Sequence, residues 1–425
     1  MWEKGMHISR ALMIVTLALC QIITLSPVIR TSSVISASAQ PRITFFAMNG
    51  HYTSYLLINV SDYSGDTDTE RIQKALNDVP AEGAIVFIPA GTWQASNLTA
   101  YSNTIVMGDN GTVLARPDNS TLPFVTFQNQ TGFEIVNLIF DGRNITDATG
   151  ILIENGTGFH ISNSVFQNIA RNAIRVIGIS RDFLITDNSF HNSDGAPLIL
   201  FGSPGMREIV NFTIANNTLT SGVSNGKIGV AFAADGLIAD NHIVNCTYGI
   251  GTRNISNITI SGNTIEQCAD YGIYLGTQPG DEGSWNITIA DNYITGSNTG
   301  IARYYGSGEV INITVRNNTI VNSIQSDIYA DFQGFFVNNT LTSKDKVKLL
   351  TIPLQFTGNV DLNMTLTIPA DVQGDGTVNM RDVGIVARLF QSSLGFDNWN
   401  PAADVIQNNV IDMKDISYVA KCFKP

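Results

Sequence analysis

The sequence is poor in charged residues, in cysteine and in long apolar runs. Only 14% of its 425 residues are Asp, Glu, Lys or Arg, and the formal net charge is −12. So few basic residues in an acidic chain argue against a nucleic-acid partner. The four cysteines are too few for a disulfide scaffold. Gly, Asn and Thr are abundant instead, which is typical of short strands joined by tight turns and not of a helical bundle.

The N-terminus has the pattern of a secretory signal peptide. Lys4 and Arg10 precede the apolar run at residues 11–25, and residues 37–39 (Ala-Ser-Ala) offer a cleavage site. The alternative is an uncleaved anchor, because the run is near the lower length limit for a membrane span. No later segment is apolar enough to cross a bilayer. We therefore expect a secreted or cell-surface protein with no membrane span after signal cleavage.

Sequons of the form N-x-S/T are frequent after the signal. In an exported protein they are potential glycosylation sites, so we expect a glycoprotein. The alternative is that a chain rich in Asn and Thr forms sequons by chance, many of them in unmodified turns. Examples are Asn97, Asn119, Asn144, Asn211, Asn257, Asn286 and Asn312.

One motif recurs through the middle of the chain about every 21 to 29 residues. It consists of Asn, a polar or aromatic residue and an aliphatic residue or Phe, with strand-like segments such as NITI before it and GIYL after it. Such short strands cannot bury an apolar face alone, but stacked repeats form three parallel sheets around one core. The repeat therefore predicts an all-β right-handed parallel β-helix, and not a leucine-rich repeat, which needs a stricter Leu pattern.

The motif asparagines are expected to occupy the turns in a left-handed backbone conformation. Their amides, stacked at the strand spacing of about 4.8 Å, are expected to hydrogen-bond along the coil. They are Asn188, Asn217, Asn241, Asn263, Asn292, Asn318 and Asn339.

The segment before the repeats is expected to cap the core. Thr67 or Asp68 begins a predicted helix with acidic residues in its first turn. Ile72, Leu76 and Val79 fall on one helix face, and the strand-like AIVFIPAGTW follows. With the repeats, this arrangement resembles the pectin-lyase-like β-helix superfamily over about residues 58 to 345. The resemblance implies the fold but gives little information about activity.

Cys246 and Cys268 occupy the same repeat position one rung apart. Stacked rungs bring their Cα atoms within disulfide range, so we expect a bond between them. The alternative is a reduced pair of small residues stacked in the core.

The C-terminus contains a loop of oxygen-bearing residues. DVQGDGTVNMRD, residues 371–382, places oxygen ligands at the spacing of an EF-hand-type Ca²⁺ loop, with Gly376 at the sharp turn. The predicted ligands are Asp371, Gln373, Asp375, Thr377 (through its carbonyl), Asn379 and Asp382. Amphipathic VGIVARLF follows and predicts a helix.

A second copy of this loop, DVIQNNVIDMKD, covers residues 404–415. It lacks an oxygen at Ile406 and has Asn409 in place of Gly, so we expect weaker Ca²⁺ binding there. Its predicted ligands are Asp404, Asn408, Val410 (through its carbonyl), Asp412 and Asp415.

The duplicated loops, with Asp at their twelfth position and WNPAAD before the second, resemble a dockerin module. The resemblance implies Ca²⁺ binding and docking onto a cohesin-type partner, with Met380, Arg381, Met413 and Lys414 in contact with it. The alternative is a calcium-rigidified cap that packs against the molecule's own β-helix.

The expected organisation has five parts. These are a signal peptide (residues 1–39), an N-terminal cap (40–100), the β-helix (101–345), a linker or final rung (346–368) and the dockerin-like domain (369–425).

No complete catalytic motif is present. The polygalacturonase-type set N-T-D…D-D…G-H…R-x-K is absent, as are a Ser/His/Asp arrangement and a zinc-ligand cluster. His191 and His242 occupy equivalent repeat positions on non-adjacent rungs, and we interpret them as structural turn residues.

One face of the predicted coil nevertheless carries residues suited to a glycan. Residues that alternate with the inward aliphatics of the GIYL-type strand should point outward; they are Arg175, Ile199, Gly229, Gly251, Tyr274, Ala302 and Tyr329. Tyr274, Tyr304 and Tyr329 are candidate sugar-stacking residues, and Arg253, Asp270 and Asp331 are candidate catalytic residues. The alternative is an ordinary solvated face.

Two functions follow. The first is a polysaccharide lyase or glycoside hydrolase delivered to a cohesin-bearing scaffold. The second is a non-catalytic glycan-binding or envelope protein attached through the calcium module.

Overall fold

The chain forms a right-handed parallel β-helix of about 11 turns followed by a small helical module. The computed structural model describes residues 42–46, 52–193, 195–220, 226–303, 308–332, 334–341, 347–349, 355–357, 359–361, 370–373, 378–393, 400, 403–406 and 410–422. The predicted β-helix is therefore confirmed.

Each turn of the coil contributes strands to three parallel sheets. Sheet A contains β2 (Tyr52–Asn59), β3 (Ala84–Ile88), β6 (Thr104–Gly108), β9 (Glu134–Val136), β12 (His160–Ser162), β15 (Arg181–Thr186), β18 (Ile209–Ala215), β23 (Gly283–Ala290), β26 (Glu309–Arg316), β29 (Gly334–Val337) and β32 (Gln355–Thr357). Sheet B contains β4 (Gly91–Gln94), β7 (Thr112–Ala115), β10 (Ile139–Asp141), β13 (Val165–Gln167), β16 (Ser189–His191), β19 (Thr218–Thr220), β24 (Tyr293–Thr295), β27 (Thr319–Val321), β30 (Thr340–Leu341) and β33 (Val360–Asp361).

Sheet C contains β5 (Leu98–Thr99), β8 (Val125–Gln128), β11 (Ile151–Glu154), β14 (Ile174–Ile177), β17 (Leu198–Phe201), β25 (Thr299–Ala302), β28 (Ser326–Ala330) and β31 (Val347–Leu349). Three long strands continue around the coil and serve more than one sheet: β20 (Ile228–Ala239), β21 (His242–Ser261) and β22 (Thr264–Gly276). An additional strand, β1 (Arg42–Phe46), pairs antiparallel with β2.

The core is filled by stacks of identical or similar side chains. Successive rungs place Phe133, Phe159, Phe183 and Phe212 over one another, with ring centroids 4.5–5.7 Å apart. Phe140, Phe166 and Phe190 form a second column. Later rungs replace Phe by Ile, for example Ile258 and Ile287, which are almost fully buried. Strand register keeps equivalent residues in contact, so one repeat pattern builds a continuous core.

A buried asparagine ladder runs along the corner between sheets A and B. In each pair, the backbone N–H and side-chain amide of one Asn both donate to the side-chain oxygen of the Asn one rung later, at 2.9–3.1 Å. The ladder continues from Asn188 to Asn359, so the predicted bonding along the coil is confirmed. The predicted left-handed conformation is wrong by one residue. Positive φ falls on the preceding residue, such as Asp187 or Asn216, because that residue forms the outside of the corner while the ladder Asn turns inward.

A second, exposed ladder runs along the corner where the chain enters sheet A. Asn257 donates its side-chain amide to Asp235, Asn286 donates to Asn257, and Asn312 donates to Asn286. Each has φ between 53° and 56°. Asn tolerates this left-handed backbone better than most residues.

Helix α1 (Asp68–Asn77) packs at the N-terminal end of the core. Thr67 caps it by accepting a hydrogen bond from the backbone N–H of Glu70. Ile72, Ala75 and Leu76 are buried, and Val79 packs against the same core cluster. The helix and its cap agree with the sequence-based prediction.

The C-terminal module contains α2 (Met380–Arg388) and α3 (Met413–Cys422), which contact each other. Its own core is formed by Ala370, Val386, Ala403, Ile411 and Val419. None of the helices in the described part of the chain is long and apolar enough to cross a membrane.

Candidate functional site

The outward-facing column of sheet C has the predicted order. Hydrogen-bonded register joins Arg175, Ile199, Gly229, Gly251, Tyr274, Ala302 and Tyr329 across neighbouring strands. Because side chains alternate along a strand, these residues share the outer face of sheet C.

Two glycines in this column leave a depression, which we call the glycine groove. A Cβ atom on Gly251 would meet no atom within 4 Å, and one on Gly229 would meet only the Ile199 side chain at 3.6 Å. Ile199 and Phe201 line one side, Tyr274 lines the other, and the volume is about 270 Å³. The floor is two strands wide, so the groove follows the strand direction.

Tyr274 belongs to a cluster of three stacked tyrosines, of which Tyr248 and Tyr274 line the groove and Tyr271 packs against both. Tyr248 lies 5.3 Å from Tyr271 and 5.9 Å from Tyr274, and Tyr271 lies 4.9 Å from Tyr274 (ring centroids). Sequence reasoning missed Tyr248 and Tyr271. The signal was present, because both belong to a Tyr-Gly-Ile motif that repeats one rung apart.

The other two predicted sugar-stacking tyrosines are not brought to this cluster by the described residues. Tyr329 is two strands from Tyr274, with buried Ala302 between them. Tyr304 lies outside the described residues. The expected Tyr274–Tyr304–Tyr329 ladder stays a prediction, and the tyrosines that line the groove are Tyr248 and Tyr274.

Arg253 lies at the end of the groove opposite Tyr248 and is bound to a carboxylate. Its Nε and Nη2 atoms donate to both oxygens of Asp281 at 2.9 Å. These hydrogen bonds hold the pKa of Asp281 below its usual value. The guanidinium also lies 4.9 Å from the ring centre of Phe232. Asp281 comes from an insertion between β22 and β23, where the repeat pattern gives no signal.

The remaining candidate catalytic residues lie elsewhere. Asp331 forms a buried ion pair with Arg303, which also donates to the carbonyl of Gly308. Asp270 is partly buried and does not line the groove. Among the described residues that line the groove there is no Asp, Glu or His. The three candidates therefore do not converge on it.

A second group of ionisable residues lies on the outside of sheet A. Glu134 and His160 are register partners on adjacent strands, and His160 Nε2 is 2.8 Å from the Thr186 hydroxyl. Burial raises the pKa of Glu134 to about 7 and lowers that of His160 to about 4. Both environments therefore favour the neutral form.

Cys246 and Cys268 are joined by a disulfide, with their Cα atoms 4.4 Å apart. The bond links two successive rungs, at the position where the repeat placed the two residues. Cys422, in α3, is a free thiol, and burial raises its pKa to about 11.

The two C-terminal loops have the same hydrogen bonds. In the first, the Asp382 carboxylate accepts from the backbone N–H groups of Gln373 and Asn379. In the second, Asp415 accepts from Ile406 and Asp412 at the equivalent spacing. The loops therefore repeat in structure as well as in sequence.

Other contacts extend this repetition. The Asn379 side chain accepts from the N–H of Arg381, and that of Asp412 accepts from Lys414. Val410 pairs antiparallel with Ser393 and joins the second loop to the chain after α2.

The described loop residues fit Ca²⁺ in donor chemistry. Asp371, Asp382, Asp404 and Asp415 are buried carboxylates, which need compensating charge or hydrogen bonds. Asp375, Thr377 and Asn408 lie outside the described residues. Within the described ranges, no three His, Cys, Asp or Glu side chains form a metal-binding group.

The predicted partner-contacting residues lie at the starts of α2 and α3. Met380 and Met413 are 63% and 61% exposed, and each is followed by a basic residue, Arg381 or Lys414. Met413 and Lys414 line a shallow depression together with Phe390 and Val410. Exposed apolar side chains beside positive charge are suited to a protein partner.

Residues 207–342 match the family model described as right handed beta helix region. Several solved structures are similar. They include a surface protein and adhesin of Streptococcus pneumoniae, with 16% identity, TM-score 0.58 and coverage of 72% of this chain and 98% of that chain. No curated protein has a sequence that matches this one.

Two enzyme structures are also similar. The A-module of a mannuronan C-5 epimerase from Azotobacter vinelandii has 16% identity and TM-score 0.52, over 72% of this chain and all of that one. A polygalacturonase from Erwinia carotovora ssp. carotovora has 14% identity and TM-score 0.52, over 78% of this chain and all of that one. At these identities the likeness shows a shared right-handed β-helix fold.

Proposed function

We propose that this protein is a secreted or cell-surface glycan-binding protein whose binding site is the glycine groove. The observation that carries the proposal is the groove itself, with a floor of Gly229 and Gly251 between Phe201 and the stacked tyrosines. Aromatic faces pack against the apolar faces of sugar rings, while Tyr hydroxyls keep a polar edge. Two of the similar structures are named for a polysaccharide and one for adhesion.

Binding explains the site better than hydrolysis or lyase chemistry. General acid–base catalysis needs a proton-transferring group within hydrogen-bond reach of the reacting atom. Arg253 has both Nε and Nη2 engaged by Asp281, and Asp331 is buried against Arg303. Neither is placed to transfer a proton to a sugar in the groove.

A pair of groove variants tests the proposal. Gly251→Leu fills open space on the strand surface, and Tyr274→Ala removes part of the wall. Tyr274→Ala is expected to weaken glycan binding about two- to tenfold, since aromatic contacts of this kind are worth about 0.5–1.5 kcal/mol beyond buried area. Gly251→Leu is expected to weaken binding at least as much, because its side chain would occupy the space that a sugar needs. Tyr293→Ala is the matched control, because Tyr293 is an exposed tyrosine of sheet B, 43% accessible.

The measurement is calorimetric binding to a panel of neutral and acidic oligosaccharides. Reducing ends and absorbance at about 235 nm are followed in parallel, because they report hydrolysis and lyase products. Equal loss of binding in Tyr293→Ala and Tyr274→Ala contradicts the proposed site. Product formation that Gly251→Leu abolishes would show an enzyme instead.

We also propose that the C-terminal module binds Ca²⁺ and attaches the protein to a cohesin-type partner. The repeated hydrogen bonds at Asp382 and Asp415 support paired loops of one design. The exposed Met380 and Met413, each beside a basic residue, support a docking surface. Ca²⁺ would neutralise the loop carboxylates and fix the loop geometry.

Calcium calorimetry on the full mature chain tests this attachment. Asp371→Ala is expected to remove the tighter binding event, and Asp404→Ala only a weaker one, because the second loop lacks an oxygen at Ile406. Unchanged Ca²⁺ affinity in Asp371→Ala contradicts the site. Capture of a purified cohesin domain with Ca²⁺, and its loss with EDTA or in Met380→Asp with Met413→Asp, tests the partner.

A further inference from the structure

The charges around the glycine groove are already paired within the protein. Arg253 is the one basic residue among the described residues that line it, and its Nε and Nη2 atoms both face the Asp281 carboxylate. The side chain of Asp281 is almost fully covered, with 3% of it exposed. A carboxylate arriving on a sugar would have to displace this partner or find another cation.

The neighbouring arginines, Arg207 and Arg303, also form ion pairs within the protein. Arg207 is paired with Glu282 at 2.7 Å and stacks on Trp285, with 3.7 Å between guanidinium and ring centre. Arg303 is buried in its ion pair with Asp331. Three arginines near this edge of the coil are therefore each matched by one acid.

Other basic residues near the groove do not change this balance. Lys227 precedes the floor strand and is buried, with 1% exposure. Arg175 belongs to the same outward column but is separated from Gly229 by Ile199, two strand spacings or about 9.6 Å away. In the sequence, residues 221–225 (SGVSN) and 304–307 (YYGS) contain no basic residue.

We infer that the glycine groove selects uncharged sugars over uronates, and that Asp281 sets this selectivity. The inference rests on the proposed glycan-binding function. Apolar and aromatic walls suit the faces of a neutral pyranose. A uronate would bring a second carboxylate to an Arg–Asp pair that is already neutral, in a chain of net charge −12, and it would lose hydration without gaining a free cation.

The test uses oligosaccharide pairs that differ only at C6, a hydroxymethyl group in one member and a carboxylate in the other. Mannose/mannuronate, galactose/galacturonate and glucose/glucuronate oligomers are titrated calorimetrically at low salt. The neutral member of the bound pair is expected to bind at least about tenfold tighter, the size of one charge-assisted hydrogen bond.

Two variants with the same change in net charge locate the effect. Asp281→Asn frees Arg253 while keeping one acceptor oxygen, and it is expected to raise uronate affinity about tenfold. Glu282→Gln is the matched control, since it removes one negative charge at the next residue and breaks the ion pair of Arg207, which does not line the groove. Glu282→Gln is expected to leave the ratio of neutral to uronate affinity unchanged.

The outcomes separate this inference from the function on which it rests. Tighter uronate binding by the unmodified protein, still sensitive to Tyr274→Ala, overturns the selectivity and retains the glycan site. An equal rise of uronate affinity in both charge variants overturns the role of Asp281, because overall charge would then explain it. Absence of binding to every pair overturns the proposed function and this inference with it.

Discussion

The early and the late rungs of the coil maintain their register by different means. In the early rungs, Phe133, Phe159 and Phe183 stack in the centre of the core. In the late rungs the central residues are mostly Ile, and the corner carries the asparagine ladder, for example Asn263 on Asn292. The glycine groove and the disulfide both lie on the late rungs.

The difference shows two solutions to one problem. Rungs of nearly identical strands can slip past one another, because each offers the same apolar contacts. Large stacked rings oppose slippage by shape, since cores are close-packed and tolerate few voids. Aliphatic rungs have less distinctive shape, and the amide ladder adds directional hydrogen bonds that are costly to leave unmade.

The largest expected effect comes from breaking a ring stack. Phe166→Ala removes the middle ring between Phe140 and Phe190, at 4.9 and 5.0 Å. A cavity in a fully buried site costs about 3–5 kcal/mol in the free energy of unfolding. Denaturant unfolding measures it, with Leu122→Ala, at an exposed residue, as the control. Similar losses in both variants would mean that the stacks do not hold the early rungs together.

A somewhat smaller effect is expected from interrupting the asparagine ladder. Asn263→Ala deprives the Asn241 backbone N–H and amide of their shared acceptor and leaves the Ile238 carbonyl without its donor. Unsatisfied buried groups of this kind should cost about 3 kcal/mol together.

The same unfolding measurement applies, with Asn257→Ala in the exposed ladder as the comparison. We expect a smaller loss of about 1 kcal/mol for Asn257→Ala, because water can replace its bond and the remaining cost is that of Ala in a left-handed backbone. If the two variants lose equal stability, the prediction that the buried ladder contributes more to stability than the exposed ladder is wrong.

The smallest expected effect is a pH dependence confined to the early rungs. The pKa of Glu134 is raised to about 7 in the fold, so its contribution to stability is present below its ordinary pKa of about 4.5 and is lost as pH rises through about 7. The pKa of His160 is lowered to about 4. Its contribution is therefore present above about 6.5 and is lost as pH falls toward 4. The two oppose each other between pH 4.5 and 6.5.

Single variants separate these opposing contributions. Glu134→Gln should flatten the loss of stability between pH 5 and 8 by about 1 kcal/mol, a value reduced for partial exposure. His160→Gln should flatten the loss on the acid side. Thermal unfolding across this pH range measures both, and parallel pH profiles for Glu134→Gln and the unmodified chain would contradict the assignment.

Much of the β-helix could be predicted from the sequence, because the same repeat occurs many times along the chain. The column from Arg175 to Tyr329 emerges from simple alternation, since the register in sheet C keeps one residue per rung. The ladder asparagines could be identified from the sequence. The residue with positive φ at the Asp187–Asn188 corner could not, because Asp and Asn both tolerate a left-handed backbone.

The ion pairs in and near the groove were harder to predict from the sequence. Asp281 lies in an insertion outside the repeat, so the repeat gives no information about its position. Arg303 is a single basic residue at the end of a GIAR segment, and nothing in that segment indicates its ion pair with Asp331. Both carboxylate–guanidinium pairs join residues about one rung apart, 28 positions in sequence. Pairing of this kind depends on side-chain reach at a turn, which strand periodicity does not specify.

The exposed ladder bears on covalent modification. Asn257, Asn286 and Asn312 each begin an N-x-T sequon, and the nitrogen to which a glycan would be joined is the same atom that donates to the neighbouring rung. Glycosylation of one would leave it a single N–H and place a sugar in a column whose members repeat at about 4.8 Å. A pyranose ring is at least as wide as that spacing, so chains on adjacent rungs would compete for the same space. Here the sequon pattern overstates the number of sites that can carry a glycan at once.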